Sequence, residues 1–162
     1  MIALYYAQMP ADLPQRIHHA AGRALLRRVC GVRTVLTAPN GKPYFADGLW
    51  FSISHCDGLV MLAVSDVSPV GCDVERLDRE PRNAARIKEK LTKTPEDRAR
   101  SAITLWVRFE AQKKAGVAGE IFMPAMPEGY LAAVCARTMP KQIPIIERIE
   151  LDADVFGDCS CL

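Results

Sequence analysis

Residues 51–75 read FSISHCDGLVMLAVSDVSPVGCDVE, and the rest of the chain is best read outward from them. After the turn signal Asp57-Gly58, residues 59–64 (LVMLAV) form an unbroken apolar run, the pattern of a strand covered on both faces. Val70, Cys72 and Val74 then alternate with Gly71, Asp73 and Glu75, which predicts a second strand with one apolar face and one face carrying two carboxylates. Gly71 adds no bulk to that second face.

Two acids two residues apart on a strand point the same way, ~7 Å apart, and their mutual repulsion needs an explanation. One is a solvated face on which Arg76 or another base pairs with them. The other is a shared cation. Upstream, Ser52 and Ser54 alternate with Phe51 and Ile53, which sets two hydroxyls on one face with His55 beside them, a group able to hold an anion. Such donors next to paired carboxylates match what a magnesium-bound phosphate requires, whereas each motif alone reads equally well as a polar strand end.

At 162 residues, 49% hydrophobic and 25% charged, the chain has the composition of a globular protein with one sizeable core or two small, intimate subdomains. A net charge of +2 argues for no particular partner. No apolar run approaches the roughly 20 residues of a membrane span, and residues 1–14 lack the basic start and apolar core of a secretory signal, so the expected location is the cytoplasm. Of six cysteines, Cys72 and Cys135 fall in apolar strand patterns, Cys30 and Cys56 at element ends, and no C-x-x-C occurs; these four are expected as reduced thiols. The last four residues, Cys159-Ser160-Cys161-Leu162, superficially fit a prenylation box, but Ser160 and Cys161 are not aliphatic and no polybasic run precedes them, so a frayed tail is expected.

Taken in order, residues 2–6 predict a short strand and residues 14–30 a helix, with Ile17, Ala21, Ala24, Leu25 and Val29 along one side and Arg16, Arg23, Arg27 and Arg28 distributed around it. Those arginines read as a solvated face or as a reach toward phosphate. Residues 37–43 (TAPNGKP) predict a loop in which Lys42 is a turn lysine. Residues 76–93, dense in mixed charge around Ile87 and Leu91, predict a surface helix whose bases could face an acidic partner.

Thr94-Pro95-Glu96-Asp97 is a helix start, and the helix is expected to run to Ala115 and stop at Gly116. Trp106, Glu110 and Lys114 then share one face in successive turns. As a surface ion pair, Glu110 and Lys114 would be worth only ~0.3–0.5 kcal/mol. Residues 116–129 predict a long loop, residues 130–136 a strand echoing residues 59–64, and residues 145–151 a final strand at a sheet edge, with Pro144 before it.

Three motifs in order, Gly41-Lys42-Pro43, then Phe51 to His55 leading to Gly71-Cys72-Asp73-Val74-Glu75, then Trp106-x-x-x-Glu110-Ala111-x-x-Lys114, resemble those of the 4'-phosphopantetheinyl transferases, and more closely the surfactin-synthetase-type branch. The resemblance covers residues 23–136. It implies transfer of the phosphopantetheine arm of coenzyme A to a serine of an apo acyl or peptidyl carrier protein, releasing adenosine 3',5'-bisphosphate. By the same resemblance Asp73, Glu75 and Glu110 match the magnesium-binding acids, Lys114 the lysine on the pyrophosphate, and Arg23, Lys42, Pro43, Ser54 and His55 coenzyme A contacts, with His55 and Arg23 near the 3'-phosphate. Glu110 and Lys114 are the expected catalytic pair.

Three departures stand out. Phe109 occupies a position that is often basic in the family, and Arg108 lies about 100° round the helix from that slot. Ser52 stands where many members have Asn. The second half is also short. The fold expected is α+β, two similar halves forming a pseudo-dimer, residues 1–68 and 69–162, with coenzyme A and magnesium in the cleft between them. The resemblance favours a monomer that serves neither nucleic acid nor a membrane. A degenerate relative that binds coenzyme A or a carrier without catalysis is the main rival, favoured by Phe109 and the short second half. A magnesium-dependent phosphohydrolase is a weaker one, for want of a Gly-rich phosphate loop.

Overall fold

The computed structural model describes residues 1–138 and 140–156. The Cys159–Cys161 tail lies outside the described residues. Mixed α and β structure follows, with two sheets and four helices among the described residues. The first sheet has the order β2-β3-β4-β5-β1-β9: β2 is Val35–Thr37, β3 Pro43–Phe45, β4 Trp50–Cys56, β5 Leu59–Ser65, β1 Ile2–Gln8 and β9 Ile146–Arg148. The second has the order β6-β8-β7, with β6 Val70–Arg76, β8 Tyr130–Ala136 and β7 Glu120–Phe122.

The unbroken apolar run of β5 has its reason in layering. Leu59, Met61 and Ala63 face Cys72, Val74 and Val134 of the second sheet. Val60, Leu62 and Val64 face the other way, onto Ala21 and Leu25 of helix α1 (Gln15–Cys30). Every residue of β5 is therefore buried. On the far side of the second sheet, Ala133 and Cys135 are covered by Val107, Ala111 and Ala115 of helix α4 (Ala102–Ala115). Cys30, Cys56, Cys72 and Cys135 are free thiols, as expected.

Gly71 is where α4 lies closest to β6: a Cβ there would collide with the backbone at Ala111 O and Ala115 N. With alanine on the helix and glycine on the strand, the two backbones come nearly into contact, which brings the side chains of the next helical stripe over Asp73 and Glu75.

Three expectations need correction. The helix starting at Thr94 is two helices, α3 (Pro95–Ala99) and α4, because Arg100 is extended and Ser101 caps anew by accepting from Thr104 N–H. The break is stable because the carbonyls it frees at Arg98 and Arg100 accept from Lys88 Nζ at 3.0 and 2.6 Å. Residues 76–93 are helical only over Ala84–Leu91 (α2), and the loop expected at 116–129 contains β7, paired antiparallel to β8. The final strand is shorter than expected but does lie at a sheet edge, parallel to β1. Beyond it, Ile149, Leu151, Val155 and Phe156 join the core under α1, the last two from a 3₁₀ turn at Ala153–Phe156, so the chain ends its described course on the first sheet.

Candidate functional site

The serine face of β4 meets the outer edge of β6. Ser52 Oγ accepts from Cys72 N–H at 3.1 Å and Ser54 Oγ from Val74 N–H at 3.3 Å, so hydroxyls replace strand pairing where the sheets join. Ser54 also donates to Asp73 Oδ1 at 2.8 Å and accepts from Lys114 Nζ at 3.0 Å. One hydroxyl thus has its donor and both lone pairs used.

Asp73 sits in the middle of this junction and is 5% exposed. Its Oδ1 takes Lys114 Nζ at 2.6 Å, while Oδ2 is buried with no hydrogen-bond partner among the described residues. Burial raises the Asp73 carboxyl above the usual range, the Lys114 charge opposes the rise and Glu110 adds to it. Glu75, half-buried, is raised by burial and then by Asp73, with the Lys114 charge opposing the rise. The carboxylate face is accordingly not a solvated one. Arg76 pairs with Asp57 at 3.3 Å and with Asp78, and so does not serve these acids.

Glu110, one turn before Lys114 on α4, lies 3.4 Å from Lys113 Nζ. Among the described residues no three His, Cys, Asp or Glu side chains are grouped closely enough to form a ready-made metal site. The donor chemistry nevertheless suits a hard cation such as magnesium: a buried carboxylate oxygen lacking a partner, a second carboxylate two residues on and a third within electrostatic reach. Oxygen ligands of this kind are satisfied by a cation or by water.

Of the residues expected to contact coenzyme A, Arg23, Ser54 and His55 line one cleft of 380 Å³ with His19, Gly22, Ile53, Asp73 and Lys114. Pro43 lines a neighbouring hollow of 350 Å³ that shares Ile53 and Lys114 with it. Lys42 is not a plain turn lysine. It is 8% exposed and donates to Val70 O at 2.6 Å and Lys114 O at 2.7 Å, tying the loop after β2 to the start of β6 and the last turn of α4. Burial lowers its ammonium pKa, with the Lys114 charge a lesser contributor in the same direction.

Sequence reasoning did not single out His18 and His19, whose rings stand edge-on to His55 with centroids 5.1 Å away in each case. The available signal was that the chain has three histidines, two of them adjacent on an amphipathic helix. Phe109 is exposed and packs against Trp106, in a groove with Ile87, Leu91, Arg79 and Arg86.

No family model matches the chain. Over 71 residues it is 39% identical to the 4'-phosphopantetheinyl transferase AcpT of Salmonella typhimurium, a match covering 40% of this chain and 37% of that protein. Over 65 residues it is 40% identical to the 4'-phosphopantetheinyl transferase AcpT of Escherichia coli K12, covering 38% and 33%. The chain thus matches about a third of the length of these curated relatives. The names support similarity to the phosphopantetheinyl transferase superfamily as a whole and do not single out the surfactin-synthetase-type branch.

Proposed function

We propose that this chain is a phosphopantetheinyl transferase, moving the 4'-phosphopantetheine arm of coenzyme A onto a serine of an apo acyl or peptidyl carrier protein with magnesium bound. The observation that carries the reading is Asp73, a buried carboxylate with one oxygen on Lys114 and the other without a partner, at the junction of two sheets and a helix. Partial similarity to named transferases supports the same class. The order of the three sequence motifs is what supports the surfactin-synthetase-type branch.

In this reading Asp73, Glu75 and Glu110 hold the magnesium, which when bound supplies positive charge to the pyrophosphate oxygens. The residues of the chain do the rest. Lys114, anchored between Ser54 and Asp73, offers its ammonium to the bridging oxygen as the bond to phosphorus breaks, and can protonate the leaving bisphosphate. Glu110, whose side chain is mostly buried on α4, takes the proton from the carrier serine as it attacks. Arg23 and His55, which line the cleft, meet the 3'-phosphate, and Ser54 fixes Lys114 and Asp73 in register rather than reaching the ligand with a free hydroxyl.

The reading takes residues 1–68 and 69–162 as two similar halves acting as a monomer, with the active cleft between them; what supports the place of the cleft is the serine-stitched line between β4 and β6. A second reading, a binder of coenzyme A or carrier without transfer, draws on Phe109 and on Lys114 lying against Asp73. Incubating the protein with coenzyme A, magnesium and a panel of apo carriers from fatty acid, polyketide and peptide synthesis, then weighing the carriers, tests both. A mass gain equal to phosphopantetheine supports the enzyme. Binding of coenzyme A without any gain supports the binder.

A further inference from the structure

All three histidines of the chain meet at one place. His18 and His19 belong to α1 and His55 to the end of β4, and the His55 ring stands edge-on to each of the other two, with interplanar angles of 73° and 84°. Edge-on imidazoles 5.1 Å apart do not satisfy one another, and His18 Nε2 is buried with no hydrogen-bond partner among the described residues. The cluster opens onto the cleft lined by His19, Arg23, His55 and Lys114. An imidazole cluster beside the Arg23 and Lys114 side chains is an arrangement that suits an anion.

We propose that His18, His19 and His55 form a proton-linked phosphate subsite, in which a phosphate monoester seated against the cluster draws one proton from solvent onto an imidazole. The proposal rests on the reading of coenzyme A as ligand only for the source of that phosphate, its 3'-phosphate; free inorganic phosphate has the same chemistry.

The charged and titratable groups facing His55 are His18 and His19 from α1 and Lys114 from α4, with Arg23 of α1 and Asp73 of β6 in the same cleft. Burial, then His18, His19 and Lys114, lower the His55 imidazole to about 4, so the ring is neutral near pH 7. A neutral imidazole offers one N–H donor; its protonated form offers two and a charge. A phosphate dianion at contact distance reverses the sign of the local field and favours the charged form. The proton taken up adds a charge-assisted hydrogen bond.

Calorimetric titration of the full chain at pH 7 in two phosphate-free buffers of different ionisation enthalpy reads the proton directly. Coenzyme A should bind with uptake approaching one proton and 3'-dephospho-coenzyme A with almost none. The affinity advantage of coenzyme A should shrink up to tenfold per pH unit above 7. His55→Gln, and the His18→Gln/His19→Gln pair, should each abolish the uptake; His19 is exposed, so His19→Gln alone is a variant expected to fold, and it should reduce the uptake. Coenzyme A binding without uptake overturns the subsite while leaving coenzyme A as ligand. Uptake that persists in both His variants assigns the proton to the phosphate itself and also overturns it. Binding of neither nucleotide overturns this proposal together with the transferase reading, unless inorganic phosphate binds with uptake lost in the variants, which supports the subsite with free phosphate as its source.

Discussion

Lys114 Nζ and Asp73 Oδ1 lie 2.6 Å apart, closing an ion pair between the last turn of α4 and the centre of β6. The pair is mostly buried on the acid side and one-third exposed on the lysine side, so the ammonium can leave for another anion while the carboxylate cannot move. Asp73→Asn keeps the shape and removes the charge. Transfer should be lost, while stability should stay within about 1 kcal/mol of the parent or rise, because the substitution also removes a carboxylate whose burial opposes ionisation. Carrier mass gain and urea unfolding measure the two. Normal transfer in Asp73→Asn would remove the residue from the site.

Lys114→Met and Glu110→Gln separate catalysis from helix-surface pairing. Transfer should fall by ~10²–10⁴ in Glu110→Gln, the usual range for a lost general base. Lys114→Met should lower turnover more than coenzyme A affinity, since its charge matters most as the bridging oxygen departs. An ordinary surface pair predicts under ~1 kcal/mol of stability and unchanged turnover for each. Rates and calorimetric affinities for both variants decide between these.

Gly71→Ala places a methyl group against the backbone of Ala111 and Ala115. Because neither partner is a flexible side chain, α4 must shift, and the expected loss is about 2–4 kcal/mol. Turnover should fall with it, since Lys114 moves with the helix. A variant with parental urea midpoint would show that the approach of α4 to β6 is looser than described.

The His55 imidazole, held near 4 by burial and by His18, His19 and Lys114, binds a proton less readily in the folded chain than in the unfolded one, where it titrates near 6.5. The unfolded state therefore binds more protons between these values, and stability drops as pH falls from about 6.5 toward 4, with no contribution above that window. For a half-exposed ring the drop should be on the order of 1–2 kcal/mol after solvent screening. Urea unfolding across pH 4–7.5 should show a shallower fall in His55→Gln than in the parent; identical slopes would assign the fall to other groups.

Much of this architecture was legible in the sequence, and the exceptions share a cause. Helical spacing identified α1, alternation β6, and unbroken apolar runs β5 and β8, because each is long enough for its pattern to show. The three-residue strands β2, β3 and β7 carry too few alternations to register, and their pairing depends on neighbours far along the chain. Ser101 was passed over as a helix interior residue, since the break it caps is held from outside by Lys88. At the site, strand alternation marked Ser54 and Asp73 and helical spacing marked Lys114, but it was the resemblance that put the three in one site, where they meet. Spacing gave no warning that Lys42 would be buried, because the carbonyls it serves come from 28 and 72 residues away.

The return of the described C-terminal segment to the first sheet has a consequence for anyone cutting the gene in two. β9 covers the outer edge of β1, and Ile149, Leu151, Val155 and Phe156 fill the floor beneath α1. A recombinant fragment ending after β5 would present β1 as a bare hydrogen-bonding edge beside an unroofed apolar surface, the features that lead chains to pair with copies of themselves. Such a fragment should collect in inclusion bodies, and co-expression with the remainder of the chain should draw it back into solution.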